Sequence, residues 1–343
     1  MTVTTLILGR AKWVLAGTWA VTCMGLASAQ STLAIPSEVD AHALQATPDM
    51  EKTPEALAAY LTSGLSSDRQ KARAIFRWIT DRIEYDVASY FSGELKPMDA
   101  AEILAKRKAV CDGYSMLFSQ LARLAHLQVK NITGYAKGAP SGRVENAQTP
   151  NHVWNAVLID DQWYAIDATW GAGYVDSTGF HHVLDDFYFL VPPERLLVSH
   201  YAVNDELGVE RAAHLDSAEF RRLPKPPARL MQAGFDGKIA LERARQSGFV
   251  RFVETFDLPY GSFEVLDAPV AYHLSHTNQR LLIRSHTFEQ VAAVQGSNFS
   301  YFTPPQDGNF ELSFQPDPGP LYIMARKPDS TEFRALLGYL VGE

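Results

Sequence analysis

The chain contains 343 residues, of which 46% are hydrophobic and 20% are charged, and its formal net charge is −8. This composition is typical of a globular protein and leaves room for one large domain or two moderate ones. An acidic chain is a poor candidate for binding nucleic acid or an anionic membrane surface, so we expect neither as a partner.

The first 29 residues have the layout of a secretory signal peptide. Arg10 and Lys12 form a short basic region, the run at 13–27 is apolar, and small residues before Gln30 fit a cleavage site. An uncleaved membrane anchor is the competing interpretation, but a span needs about 20 apolar residues and this run is shorter. We therefore expect a periplasmic or secreted protein that has no membrane span after cleavage.

Helical patterns occupy the next part of the chain. Residues 30–55 contain three prolines and are expected to have little regular structure. Apolar residues at helical spacing predict helices at 67–86 and 98–107. Ser67 and Asp99 are placed to cap the first turns of these two helices.

The hydrophobic period then changes to that of strands. We predict a strand at 129–138 and a hairpin at 147–171, whose two strands join in a tight turn around Asp160 and Asp161. A strand or turn followed by a short helical piece is expected at 187–201. Helices followed by antiparallel strands predict an α+β fold.

A proline-rich segment divides the predicted domains. Three of the four residues at 224–227 are proline, and we predict a linker at 223–228. Short apolar runs separated by Gly, Pro, Asn and Asp predict a smaller all-β, sandwich-like domain at 229–343. The first domain is expected at 30–222, with its core at about 65–205.

Cys111 is the first candidate for chemistry. Cys23 lies in the predicted signal peptide, so the mature chain keeps one cysteine, which has no internal disulfide partner. Cys111 is predicted at the start of a helix, where backbone N–H groups and the helix dipole favour the nucleophilic thiolate. Gly113 leaves room beside it for a substrate or another backbone segment. The alternative is a core cysteine that packs as a small hydrophobic residue.

The predicted hairpin offers a base and an orienting acid for this thiol. His152 opens its first strand and Asp167 ends its second. Side chains alternate along a strand, so a turn of even length puts both residues on one face, opposite or diagonal to each other. Asp167 would then fix the tautomer of the imidazole, as in a nucleophile–base–acid triad. The alternatives are a turn of odd length, which separates the faces, and an Asp167 that only caps a turn.

The remaining histidines suggest no metal site. Lone histidines such as His126, His181, His182, His273 and His276 are usually structural or solvated. The chain lacks the H-E-x-x-H motif and any Cys/His ligand cluster. We therefore predict no metal and no other cofactor. Activity that is sensitive to chelators would instead indicate a metalloenzyme.

Four segments resemble, in order, the transglutaminase-like superfamily; they are IFRWITDRIEYD, KAVCDGYSMLFSQLARLAHL, NHVWNAVLIDDQWYAIDATWG and FYFLVPPERLLVSHY. The resemblance covers about 65–205 and implies a papain-like core with the triad order Cys, His, Asp. It places the nucleophile on Cys111, the base on His152 and the orienting acid on Asp167. The DATWGAG segment and the last of the four point to the kyphoscoliosis-peptidase branch. Ala202 departs from the proline that relatives often carry there.

The resemblance implies an enzyme but leaves its reaction open. Members of the superfamily crosslink glutamine to amines, hydrolyse peptides or amides, or have lost the cysteine and only bind. Because this chain keeps all three positions, we expect a cysteine peptidase or amidase, or a transglutaminase-like acyltransferase, that forms a thioester with a protein or peptide substrate. The alternative is a non-enzymatic scaffold that binds a protein or a cell-envelope partner, with the β-domain as a possible contact.

The substrate cleft is predicted less sharply than the triad. The candidates are Trp78, Tyr85, Gly113 and Trp170, which lie close to the motifs in the sequence. Large aromatic residues more often form a core or a wall. The Cys111 backbone N–H is expected to stabilise the oxyanion together with one more donor, which the sequence does not identify.

Overall fold

The fold is given by a computed structural model. It describes residues 37–93, 96–138, 149–227, 229–248, 251–256, 263–303 and 307–342. The predicted signal peptide at 1–29 lies outside these ranges. Within them, no helix combines the length and the apolar character that crossing a bilayer requires.

The secondary structure of the described residues mixes helices and strands. The α-helices are α1 (Ser37–Leu44), α2 (Pro54–Leu61), α3 (Asp68–Arg82), α4 (Val87–Ser92), α5 (Ala100–Lys106), α6 (Cys111–Leu124), α7 (Ala168–Gly171), α8 (Val209–Ala212), α9 (Ser217–Arg222) and α10 (Gly237–Ser247). Short 3-10 helices lie at Asp186–Tyr188 and Pro193–Leu196. The strands are β1 (Glu84–Tyr85), β2 (Lys108–Ala109), β3 (Val129–Ala136), β4 (His152–Ile159), β5 (Gln162–Ile166), β6 (Gly173–Asp176), β7 (Gly179–His182), β8 (His200–Ala202), β9 (Glu254–Thr255), β10 (Glu264–Asp267), β11 (His273–Leu274), β12 (Gln279–Arg284), β13 (Gln290–Gln295), β14 (Asn298–Tyr301), β15 (Asn309–Phe314), β16 (Gly319–Arg326) and β17 (Arg334–Val341).

The predicted caps of α3 and α5 are confirmed. Ser67 Oγ accepts a hydrogen bond from Gln70 N at 3.2 Å at the start of α3. At the start of α5, the side chains of Asp99 and Glu102 each accept a hydrogen bond from the backbone N–H of the other residue. These contacts satisfy donors that the first turn of a helix leaves unpaired.

The segment before these helices is more regular than its prolines predict. Ser37–Leu44 forms α1, so the expectation of little regular structure is wrong here. Val39 and Ala43 are buried, and Arg73 of α3 donates to both carboxylate oxygens of Asp40, at 2.7 and 2.6 Å. Tertiary packing and this ion pair fix a helix whose own hydrophobic period is weak.

The central sheet carries the strands of the predicted hairpin. It is antiparallel, in the order β5-β4-β3-β8, and α6 packs on β3 and β4 with Leu117 and Phe118 buried. The amide nitrogen of Asn155, a buried residue of β4, lies 3.0 Å from the hydroxyl groups of both Ser115 and Ser119 of α6. This buried polar contact fixes the register of α6 on the sheet.

The C-terminal region contains two further sheets. One is antiparallel, in the order β10-β12-β15, and the other has the order β11-β17-β16-β13-β14, with β9 beside β17. Buried side chains from both sheets, such as Ile283 and Ile323, belong to one apolar core. The predicted α+β fold with a sandwich-like C-terminal region is confirmed. One element of this region was not predicted: it is helix α10, which precedes the longer strands.

The predicted linker lies against the first part of the chain. Lys137 Nζ donates to the backbone oxygen of Leu223, and Lys225 Nζ donates to the backbone oxygen of Gly138 at 3.2 Å. Residues on both sides of 223–228 contribute to the same apolar core. The division into two domains at this segment stays a prediction.

The start of α6 depends on a close contact with β2. A Cβ atom at Gly113 would lie 2.6 Å from Ala109 Cβ, and both positions are held by backbone. We expect Gly113→Ala to lower the free energy of unfolding by about 1–3 kcal/mol, because overpacking moves the helix. Urea denaturation measures this change.

A matched double variant tests the cause. Ala109→Gly restores the space, so Gly113→Ala with Ala109→Gly should be more stable than the sum of the two single effects predicts. If the effects of the two substitutions on stability are additive, the close contact between positions 113 and 109 is not the cause of the destabilisation.

Candidate active site

A two-residue turn aligns the predicted base and acid. Asp160 and Asp161 both have positive φ, 50° and 62°, which is the geometry of a tight hairpin turn that matches the twist of its strands. The register of β4 with β5 puts Asp167 one residue beyond β5, diagonal to His152 and on the same face. The predicted even-length turn is therefore present.

Asp167 lies in the middle of a buried cluster. Its carboxylate is 1% exposed. Oδ2 lies 2.6 Å from His152 Nε2 and 3.2 Å from His200 Nε2, and Oδ1 accepts a hydrogen bond from Trp170 N at 3.0 Å. Asp167 thus caps α7 and also contacts two imidazoles, so capping does not prevent the contact with His152 that was predicted from the sequence.

The pKa values in this cluster follow from burial and from the opposite charges. Burial alone lowers the pKa of His152, but the charge and the hydrogen bond of Asp167, with a smaller contribution from Cys111, outweigh burial and raise it to about 10. Burial alone raises the pKa of Asp167, but His152 and His200 outweigh it and hold that pKa well below its usual range. At neutral pH, His152 is an imidazolium beside a carboxylate.

Cys111 is the first residue of α6 and has a half-buried, free side chain. Val110, at the N-cap, makes no side-chain hydrogen bond to the first turn. The N–H groups of that turn therefore keep capacity for an anion. Because His152 Nε2 is bound to Asp167, Nδ1 is the ring nitrogen left to interact with Cys111.

His200 is a member of the cluster that sequence analysis missed. Burial lowers its pKa, and Asp167 opposes this only in part, so the ring is neutral at neutral pH. Its Nε2 must carry the proton to donate to Asp167, and Nδ1 lies 2.9 Å from the Ser199 hydroxyl oxygen. The pairing of β8 with β3 places His200 on the side of β3 opposite to β4. In the sequence, His200 is only a histidine in the SHY segment, and no sequence pattern indicates that β8 pairs with β3.

His152, Asp167 and His200 are also residue types that bind metal ions. His152 Nε2, Asp167 Oδ2 and His200 Nε2 lie within 4.8 Å of one another. Ligands of a tetrahedral zinc ion, at about 2.0–2.2 Å from the metal, stand roughly 3.3 Å apart. The 2.6 Å separation between His152 Nε2 and Asp167 Oδ2 is a hydrogen-bond distance. The distances in the cluster therefore fit side chains that are joined by hydrogen bonds better than side chains that bind a metal ion.

A cleft of about 1060 Å³ opens beside His152. Two of the predicted cleft residues, Tyr85 and Trp170, line it. The Trp170 ring lies 5.5 Å from the His152 ring, between centroids. Burial raises the pKa of Tyr85, and the Tyr85 ring lies 6.5 Å, between centroids, from that of Tyr114 on α6.

The other two predicted cleft residues lie elsewhere. Trp78 is fully buried, and its indole Nε1 donates to Glu51 Oε1 at 2.8 Å. Gly113 is buried against Ala109. Trp78 is therefore a core residue, and the room at Gly113 serves the packing of α6 on another segment, which is the second of its two predicted uses.

Comparison with known families defines the class of this domain. Residues 55–168 match the sequence model of the transglutaminase-like superfamily. The matched segment contains Cys111, His152 and Asp167, whereas His200 follows it. Residues 55–168 therefore form a transglutaminase-like domain, as the motifs predict.

Curated relatives match about half of the chain. Human kyphoscoliosis peptidase is 34% identical over 152 residues, which are 43% of this chain and 23% of that protein. Hillarin of Drosophila melanogaster is 27% identical over 202 residues, which are 54% of this chain and 24% of that protein. The chain thus spans about a quarter of the length of these relatives. A solved TGase structure is 18% identical, covers 46% of this chain and 38% of that chain, and has a TM-score of 0.26, which is too low to carry an argument.

The raised pKa of His152 depends on the Asp167 charge. We expect Asp167→Asn to drop the His152 pKa from about 10 to below the usual value of about 6.5, because burial then acts without the opposing carboxylate. Histidine NMR titration measures the change. A variant that keeps the raised pKa would contradict this assignment.

The same pair makes stability depend on pH. The His152 pKa is higher in the folded than in the unfolded chain, so its contribution is complete below about pH 6.5 and is lost as pH rises towards about 10. The stability difference between the protein and Asp167→Asn should therefore shrink over this window. The Asp167 pKa is lower in the folded than in the unfolded chain, so the contribution of Asp167 to stability depends on pH in the opposite direction. It is lost on acidification below about pH 3.9. Urea denaturation across both windows checks the two signs.

Proposed function

We propose that this protein is a thiol-dependent acyl-transfer enzyme that acts on amides of proteins or peptides, with Cys111 as nucleophile. The observation that carries the proposal is the position of His152, which binds Asp167 at 2.6 Å through Nε2 and is close enough to Cys111 for the two side chains to interact electrostatically. The first turn of α6 and the His152 side chain both lie where they can stabilise negative charge that develops on the Cys111 sulfur. The transglutaminase-like match supports the same assignment.

The first half of the reaction forms a thioester. The Cys111 sulfur attacks the amide carbon, and the electron pair of the C=O bond moves to oxygen. The backbone N–H of Cys111 is placed to stabilise this oxyanion. When the tetrahedral intermediate collapses, the C–N bond breaks and His152 gives its Nδ1 proton to the departing amine.

The second half returns the enzyme to its starting state. Water or an amine attacks the thioester carbon and loses a proton to His152, and the C–S bond breaks to release the thiolate. Asp167 keeps its charge and stabilises the imidazolium throughout. Hydrolysis and amine transfer differ only in the acceptor, so the same residues serve a peptidase, an amidase or a transglutaminase.

A binding role is the second candidate, and an aromatic surface in the C-terminal region favours it. Phe299 and Tyr301 on strand β14 are 43% and 54% exposed, and their rings stack with centroids 6.0 Å apart. Exposed aromatic clusters are common at protein contacts. In this alternative, Cys111→Ala leaves the affinity for a protein or cell-envelope partner unchanged.

The proposal includes an extracytoplasmic location. A periplasmic or secreted enzyme would start at Gln30 after removal of the predicted signal peptide. Cell fractionation followed by N-terminal sequencing tests this location, and a cytoplasmic chain that keeps its first residues would contradict it.

The reactivity of Cys111 tests the nucleophile. An ordinary thiol is only about 1% ionised at pH 6.5, so an activated Cys111 should react with iodoacetamide at this pH at least about tenfold faster than the unfolded chain. His152→Ala should remove most of that advantage, whereas His126→Asn should not. His126 is exposed and has positive φ, which Asn tolerates.

The products identify the reaction. Peptide mixtures incubated with the protein or with Cys111→Ala should differ by cleaved peptides, deamidated glutamines or new isopeptide links, which mass spectrometry separates. If Cys111 reacts only in denaturant and the two mixtures are identical, the enzymatic proposal is wrong.

A further inference from the structure

His200 is a buried titratable residue that the proposed reaction does not use. Its Nε2 lies 3.2 Å from Asp167 Oδ2, and the same oxygen lies 2.6 Å from His152 Nε2. Two imidazole rings, whose centroids are 5.6 Å apart, therefore share one acceptor atom. A change in the hydrogen bond from His200 to Asp167 acts on the proposed base through this single oxygen.

The charge of Asp167 fixes the position of the proton on His200. The pKa of Asp167 lies well below its usual range, and an ionised carboxylate can only accept hydrogen bonds. Nε2 of His200 must therefore carry a proton. Burial lowers the pKa of His200, and its contacts with Asp167 oppose burial only in part, so the ring holds one proton at neutral pH. His200 thus donates to Asp167 without adding a charge.

The fold holds the His200 ring in this position. Strand β8 pairs with β3, where His200 lies opposite Ala136. The indole rings of Trp154 and Trp170 pack against the His200 ring, with centroids 5.1 and 4.5 Å from it. A ring enclosed in this way keeps its Nε2 directed at Asp167.

Other titratable groups surround His200. The charges of Asp167 and His152 act on its pKa in opposite directions. Glu210 lines a small cavity together with His200, and its Oε1 accepts a hydrogen bond from the N–H of Ala202 at 2.8 Å. Glu210 thus binds the backbone of β8, whereas Asp167 binds the His200 ring.

A neutral donor on Asp167 changes how tightly the pair of Asp167 and His152 holds its proton. The pair is electrically neutral while His152 is an imidazolium, and it carries one negative charge after His152 loses its Nδ1 proton. The buried carboxylate then lacks its counter-ion and depends on its remaining donors, which include His200 Nε2–H and the Trp170 N–H. His200 therefore stabilises the deprotonated pair more than the protonated pair.

We propose that His200 is a positioning residue of the active site, whose Nε2–H shares Asp167 Oδ2 with His152 and thereby allows His152 to lose its Nδ1 proton and act as a base. The inference rests on the proposed function for one point, which is that His152 accepts the proton of the attacking water or amine in the second half of the reaction. The arrangement of protons on the three side chains does not require that reaction.

The first test locates the proton on His200. Long-range proton–nitrogen NMR spectra of the full chain, labelled with nitrogen-15 in its histidines, distinguish the two neutral tautomers from the imidazolium. We expect His200 to be the neutral Nε2–H tautomer at neutral pH. A proton on Nδ1, in the other tautomer or in an imidazolium, would overturn the inference. This test uses the unsubstituted protein, so it does not depend on the folding of a variant.

Two matched amides test the hydrogen bond itself. The amide nitrogen of His200→Gln can reach the position of the ring Nε2, whereas that of His200→Asn, one methylene shorter, reaches only the position of Nδ1. NMR titration of His152 should give a midpoint of about pH 10 for the protein and the same midpoint for the Gln variant. We expect a midpoint about one pH unit higher for the Asn variant.

A simple acyl donor separates the two halves of the reaction. p-Nitrophenyl acetate transfers its acetyl group to the Cys111 sulfur and releases nitrophenolate, which leaves without a proton. Water then hydrolyses the thioester and loses a proton to His152. After subtraction of the rate of Cys111→Ala, His200→Asn should have a steady-state rate about tenfold below that of His200→Gln, because fewer His152 rings are free to accept a proton. The initial burst of nitrophenolate should be equally fast in both variants.

The outcomes separate this inference from the proposed function. Equal His152 midpoints in the Gln and Asn variants, or equal steady-state rates, overturn the inference even if Cys111 is an active nucleophile. A protein that shows no burst, and whose Cys111 reacts with iodoacetamide only in denaturant, overturns the enzymatic proposal. In that case the tautomer and the His152 midpoints still decide whether His200 controls the proton of the pair.

Discussion

Asp167 carries a buried carboxylate, and the surrounding strands are arranged to supply its donors. An ionised carboxylate without partners in an apolar interior is too costly to keep its charge. Three elements meet this demand: β4 brings His152, β8 brings His200, and the first turn of α7 brings the Trp170 N–H. Because the two imidazole contacts of Asp167 come from strands on opposite sides of β3, the charge of Asp167 depends on the strand order β5-β4-β3-β8.

A second buried polar contact aligns the thiol with this cluster. Asn155 lies on β4 three residues after His152, and its amide reaches Ser115 and Ser119 on α6. Ser115 is one helical turn from Cys111, so the contact sets the rotation and the height of the helix against the strand. Since an unsatisfied amide in the interior is unfavourable, a shifted α6 is disfavoured even where the apolar packing would tolerate it.

Local rules predict the parts of the site that depend on short stretches of chain. The helix caps, the start of α6 and the two-residue turn follow from residue types and spacing, and the turn alone fixes the common face of His152 and Asp167. His200 was missed because its role depends on the pairing of β8 with β3, across more than sixty residues from one strand to the other. Trp78 was misplaced for a related reason: a helical aromatic residue has the same sequence pattern in a core as beside a cleft, and only the buried Glu51 partner distinguishes the two.

The C-terminal region takes part in the cleft, although sequence patterns set it apart. Arg229 and Arg251 line the same space as His152, and their backbone belongs to the part of the chain that follows the proline-rich segment. The match to the transglutaminase-like superfamily ends at residue 168 and so omits both arginines, whereas it includes Cys111, His152 and Asp167. In the proposed enzyme, the residues that react with a substrate and part of the lining of the cleft are therefore encoded in separate stretches of the chain.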